Sequence, residues 1–146
     1  MVIHPLEANM PAKDKYHDTV VNALKKDGWC IVRENVVIGD ATRQLFIDIL
    51  AKRENDEPVE AILVEVKVFE GARSPMTYLE KAIGQYMLYL SFLDYVNNST
   101  PLYLAVPSTI YNDLLSEDIV SHAIQFLKIK LVIFDPRLEQ IVKWRT

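Results

Sequence analysis

Apolar and polar positions alternate along the chain in a way that marks out a short series of elements. From Asp14 onward Tyr16, Val20, Ala23 and Leu24 recur at helical spacing, Lys25 and Lys26 suit a last turn, and Gly28 suits the position just past it. A first helix is predicted there. On its wheel His17 falls beside Val21 and Leu24 while Asp18 falls beside Lys25, so His17 points inward more than Asp18 does. Residues 29–33 and the stretch onward to the Gly39-Asp40 turn signal fit two strands joined by a loop or hairpin. Residues 43–50 read as a strand that is apolar on both faces and therefore covered on both sides. A charged linker, residues 52–60, connects it to a second greasy strand at 61–69.

Past the loop 70–73, Ser74-Pro75 reads as an N-cap followed by proline at the first helical position. The long helix that follows carries two adjacent stripes. Leu79, Ile83, Tyr86, Leu90 and Leu93 form one; Tyr78, Ala82, Gln85, Tyr89 and Phe92 form the other, with Gln85 its polar member. Residues 102–106 are a strand stopped by Pro107, and 109–115 and 117–128 are helical pieces with Ser116 as a cap between them. Two last strands, 130–134 and 140–144, flank an Asp135-Pro136 turn. This order predicts an α/β (α+β) sandwich with a central mixed β-sheet flanked by helices. The connection from the 61–69 strand through the long helix to 102–106 has the length of a right-handed parallel βαβ crossover.

Composition narrows the class without changing that picture. The chain has 146 residues, half of them apolar and a quarter charged, enough for a single domain with a real core over residues 10–146. Residues 1–9 carry no periodicity and Met10 makes a plausible start, so they are expected to be a tail or an upstream extension. The lone Cys30 excludes an internal disulfide and is expected to be inert packing; no secretory pattern opens the chain, so a reducing cytoplasmic setting is expected. The longest helical candidate carries Glu80, Lys81, Gln85 and Asp94, too polar for hydrocarbon, so no membrane role is expected. A formal charge of −4 disfavours autonomous nucleic-acid binding unless a basic patch or a partner supplies the contact. Lys128, Lys130, Lys143 and Arg145 are the C-terminal basic concentration, read as a solvated face unless they converge with Lys52 and Arg53. Trp29 and Trp144 are read as core or interface aromatics, and exposed aromatics would suit a homo-oligomer or hetero-complex.

The candidate chemistry lies in the two greasy strands. Asp48 interrupts LFIDIL, and Glu65 and Lys67 share one face of AILVEVKVF. Two carboxylates about 4 Å apart repel by roughly 4 kcal/mol at an effective dielectric near 20, so something positive must answer them. A cross-strand salt bridge from Lys67 would do so. So would Mg²⁺ or Mn²⁺, hard cations that take carboxylate oxygens, with Lys67 beside the attacking water. The spacing alone does not choose between them.

Asp48 followed by Glu65-Val66-Lys67 resembles the PD-(D/E)xK phosphodiesterase signature, and Gln85 with Tyr89 matches the QxxxY element of its RecB-like branch. More closely, the chain from Met10 (MPAKDKYHDTVVNALKKDGW, the FID strand, VEVKVF, LEKAIGQYMLY, LYLAVP and LVIFDP) is similar to the XisH family, the fdxN-element excision controlling factors of cyanobacteria. The resemblance implies a restriction-endonuclease-like fold with Asp48 and Glu65 as metal ligands, Lys67 beside the water and Gln85 positioning water or substrate. His17 or Asp18 would stand for the first-helix acid of such nucleases, and Tyr89 for an accessory group. It further implies a part in programmed DNA rearrangement during heterocyst development, with DNA, an XisI-like companion protein and a site-specific recombinase as partners. Ile47 stands where the signature has proline, and Leu50-Ala51-Lys52 carries no extra acid.

Overall fold

The inward face predicted for the first helix is the one that packs. In the computed structural model, which describes residues 15–54, 58–71 and 73–146, α1 (His17–Lys26) buries His17, Val20, Val21, Ala23 and Leu24. Asp18 in its first turn and Lys25 and Lys26 in its last each complement the nearer end of the helix dipole. The expected tail at 1–9 and the expected helix start at Asp14 lie outside the described residues.

Six strands follow one another across a single sheet in chain order: β1 (Cys30–Gly39), β2 (Gln44–Arg53), β3 (Glu60–Val66), β4 (Leu102–Pro107), β5 (Leu131–Asp135) and β6 (Gln140–Arg145). β1, β2 and β3 run antiparallel, β3, β4 and β5 parallel, and β6 antiparallel to β5. Parallel neighbours need crossovers. The first is α2 (Pro75–Tyr95); the second is α3 (Ser108–Asn112), a 3-10 turn (Leu114–Ser116) and α4 (Asp118–Phe126). The α2 start follows its sequence signal, with the Ser74 hydroxyl accepting from the Thr77 N–H at 3.3 Å.

Strand parity divides the core into two. Leu63, Leu104, Val106, Leu131 and Ile133 pack with Leu79, Tyr86 and Leu93 of α2 and with Val120 and Ile124 of α4. Ile62, Val64, Val66, Ala105, Val132 and Phe134 point the other way, onto Val20 and Leu24 of α1. The expected α/β sandwich with a mixed central sheet is therefore the one formed, and its middle strands are apolar on both faces because both faces are covered.

Four details depart from the sequence reading. Residues 30–39 make one strand, not two, paired with β2 from Cys30 opposite Lys52 to Gly39 opposite Gln44. A register shift between Ile31 and Arg33 and a left-handed Asn35 (φ 54°) break the period-two pattern and make one strand read as two. The charged stretch 52–60 is the end of a hairpin, with Arg53 opposite Glu60, while 55–57 lie outside the described residues. Ser116 does not cap α4; its hydroxyl donates back to the carbonyls of Asn112 and Asp113. Cys30 is exposed rather than packed. No helix among the described residues is long and apolar enough to cross a membrane.

Candidate functional site

β2 and β3 part company at Asp48. Their last paired residues on this side are Ile49 and Val64, whereas β2 stays paired with β1 as far as Gln44. Ile47 packs in the α2 core and Ile49 in the α1 core, although two residues apart on a regular strand share a face. The strand thus turns through the sandwich at this point. At the fork two side chains supply the hydrogen bonds that a ladder would have made: the Asp48 N–H donates to Glu65 Oε1 at 3.2 Å, and the Val66 N–H donates to Asp48 Oδ2 at 2.8 Å.

Glu65 is 5% exposed, and with His17 it is one of the two buried polar or charged side chains among the described residues. Its second oxygen, Oε2, accepts from the Tyr89 hydroxyl at 3.2 Å and lies 3.4 Å from Lys67 Nζ. Burial first, and then the charge of Asp48, push the Glu65 carboxyl up to about 8, against the pull of Lys67. Near neutral pH the acid pair on its own therefore holds a proton. Burial beside Glu65 likewise pushes the Tyr89 phenol well above its usual range, so it stays a neutral donor.

On the α1 side His17 is 1% exposed, with Nε2 2.5 Å from Glu34 Oε1 and Nδ1 4.0 Å from Asp48 Oδ1. Among the described residues that Nδ1 has no hydrogen-bond partner. Asp18 is exposed, and its carboxylate, a ring nitrogen of buried His17 and a Glu34 carboxylate oxygen lie within 4.8 Å of one another. On the α2 side Gln85 lies one turn before Tyr89, and its buried Oε1 has no hydrogen-bond partner among the described residues. It lines a cavity of about 200 Å³ together with Lys67, Tyr78 and Lys81.

The fold thus joins Asp48, Glu65, Lys67 and Tyr89 directly, sets His17 at the edge of the cluster, and brings Gln85 beside Lys67 without a bond to either acid. Tyr89 is both core and site: its ring is buried and its hydroxyl reaches the acid. Glu34 is the member the sequence reading missed. It faces α1 from a strand whose alternation is interrupted on both sides of it, by the register shift and by Asn35. The two carboxylates offer the hard oxygen donors that small divalent cations take, and the partnerless His17 Nδ1 and Gln85 Oε1 lie on either side.

The C-terminal basic residues do not make a single track. Lys130 lies over the Tyr103 ring at 5.9 Å, Lys143 lies over Tyr111 at 5.6 Å, and Arg145 donates to Ser121. Lys52 is paired with Glu54, and Arg53 stacks on Trp29, which in turn packs on Trp144. A larger cavity of about 350 Å³ lies away from the acids, between the β1–β2 turn and the end of α2.

Comparison with known proteins agrees with this architecture. The family model described as XisH protein matches residues 10–142. The crystal structure of an XisH family protein from Nostoc punctiforme is 34% identical with a TM-score of 0.82, covering 91% of this chain and all of that one. That of an fdxN element excision controlling factor protein from Anabaena variabilis is 33% identical with a TM-score of 0.83, covering 92% of this chain and all of that one. No curated protein matches the sequence. A family match over residues 10–142, together with relatives about one-third identical that cover about nine-tenths of it, places the chain in the XisH family.

Proposed function

We propose that this chain is a controlling factor for excision of a DNA element, built on a PD-(D/E)xK nuclease scaffold, and that it hydrolyses a phosphodiester in DNA with Mg²⁺ or Mn²⁺. The observation that carries the reading is the meeting of Asp48 and buried Glu65 at the β2–β3 fork with Lys67 3.4 Å from Glu65. Asp48 and Glu65 are the residues that would hold the cation. A bound divalent ion supplies Lewis acidity toward the phosphate and lowers the pKa of water. Lys67, one residue past the end of β3, orients the attacking water and stabilises charge as it builds on the phosphate oxygens. Gln85 faces the cavity beside Lys67, where its amide can hold a water or a phosphate oxygen. Tyr89 fixes the orientation of the Glu65 carboxyl, and His17 is a second neighbour of Asp48. With a net charge of −4 the chain gains its DNA contact through companions, an XisI-like protein and a site-specific recombinase.

Incubating the purified chain, alone and with its XisI-like companion, on supercoiled and branched DNA in Mg²⁺ and in Mn²⁺ tests the reading. Metal-dependent cleavage that disappears in Asp48→Ala and Glu65→Ala is the expected result. Absence of cleavage, or cleavage indifferent to both substitutions, would sink the enzymatic reading.

One observation favours a second reading. The acids already satisfy the Asp48 and Val66 backbone groups, and Lys67 already answers Glu65, as in a purely structural network. The chain would then be a non-catalytic DNA-binding or recombinase-regulating subunit on the same scaffold. Under it, Lys67→Ala leaves excision intact in a complementation assay; under the first reading excision is lost.

A further inference from the structure

The long helix α2 carries large apolar side chains on its outer as well as its inner face. Its inner face buries Leu79, Ala82, Tyr86, Tyr89 and Leu93, yet its outer face exposes Met87 (40%), Leu88 (55%) and Tyr95 (71%). Large apolar side chains grouped on an exposed helix face, flanked by charges, ordinarily mark a contact surface. Around Gly84 the face is open among the described residues, since a methyl added there would meet nothing within 4 Å, and toward its C-terminal end Ser91 and Tyr95 border the cavity they share with the β1–β2 turn.

At 100° per residue Gly84 and Ser91 fall on the mid-line of this outer face. Glu80, Met87 and Asp94 line one flank; Lys81, Leu88 and Tyr95 line the other, each set recurring at heptad spacing. All eight residues are exposed. A second copy of the helix laid parallel about a two-fold axis sets each flank against the opposite flank of its mate. Glu80 then meets the partner's Lys81, Met87 meets the partner's Leu88, and the phenol of Tyr95 can donate to the partner's Asp94. Gly84 and Ser91 face their own copies and leave room for close approach. An antiparallel arrangement sets like flank against like flank and brings Glu80 against the partner's Asp94, acid on acid.

This self-complementarity selects both the occupant and its direction. We propose that the outer face of α2 is a homodimer interface in which two copies of the helix pack in parallel across a two-fold axis. The inference rests on the helix surface and is independent of what the acid pair does.

Sedimentation of the full chain at high micromolar concentration is expected to show a dimer, and Leu88→Lys is expected to weaken self-association by at least about tenfold. Leu88 is outward-facing, so circular dichroism should stay near wild type. Direction is read separately, in a Cys30→Ser background: Ser91→Cys should oxidise to a disulfide-linked dimer, because a parallel two-fold brings position 91 against its own copy. A wild-type chain that is monomeric on its own, as when a different protein covers the face, would overturn the proposal. So would a Leu88→Lys chain that still dimerises, or a dimer in which Ser91→Cys fails to cross-link.

Discussion

Asp48 and Glu65 are locked together through the backbone: Glu65 accepts from the Asp48 N–H at 3.2 Å, while Asp48 accepts from the Val66 N–H next to Glu65 at 2.8 Å. Each acid therefore has a structural task besides any chemical one, and the two can be separated by choice of substitution. Asp48→Asn keeps an oxygen for the Val66 N–H and removes a charge that opposes ionisation of Glu65. Its stability in urea should equal or exceed wild type, while metal-dependent cleavage should fall by about 100-fold or more. Asp48→Ala leaves the Val66 N–H without its acceptor and should cost about 1–3 kcal/mol as well.

Protonation of Glu65 makes stability depend on pH. Its carboxyl ordinarily titrates near 4.5 and in the folded chain near 8, so between those values the folded chain holds the extra proton. The stabilisation is fully present below about 4.5 and is lost as pH rises through about 8, with a slope from this group of at most about 1.4 kcal/mol per pH unit. Urea denaturation from pH 5 to 9 without divalent cations should show that decline in the wild type and a flatter profile in Glu65→Gln. Equal slopes in the two proteins would contradict the assignment.

The Tyr89 hydroxyl can be tested without disturbing its ring. Tyr89→Phe removes the donor to Glu65 Oε2 and keeps the buried aromatic surface. A loss of about 1 kcal/mol in urea denaturation is expected, close to the usual worth of one hydrogen bond. A loss of several kcal/mol would mean that the ring itself had moved.

The β1–β2 turn depends on Gly39. Its φ is +118°, and a Cβ there would come within 2.2 Å of the Arg43 carbonyl oxygen. Gly39→Ala should cost about 1–3 kcal/mol in thermal or urea unfolding. An unperturbed Gly39→Ala protein would mean the turn has another conformation.

How much of this was legible in the sequence follows from what each residue interrupts. Asp48 and Glu65 stood out because a charge inside an unbroken apolar run must be explained, and pairing β2 with β3 places them side by side. His17 was found by its place on a clear helical face. Tyr89 was half hidden: in an apolar stripe its ring explains its position, and nothing local tells where the hydroxyl goes. Glu34 was not found at all, because the register shift after Ile31 and the left-handed Asn35 erase the alternation that would have assigned its face. Ser116 misled for a related reason: a hydroxyl between two helical pieces can cap the next or, as here, close the one before. Sheet order was legible only in part, since the βαβ crossover implies β3 beside β4 but says nothing of β6 at the far edge.

Manganese titration of the purified chain, followed by the loss of the free Mn²⁺ paramagnetic resonance signal, asks most directly whether Asp48 and Glu65 form a cation centre. The wild type should bind Mn²⁺ more tightly as pH rises toward 8, because the cation displaces the Glu65 proton, and Asp48→Asn and Glu65→Gln should each abolish that binding while Lys67→Met retains it. Binding that survives both acid substitutions, or a wild-type chain that takes up no Mn²⁺ at any pH between 6 and 9, would contradict the assignment of the β2–β3 fork as a metal-dependent site.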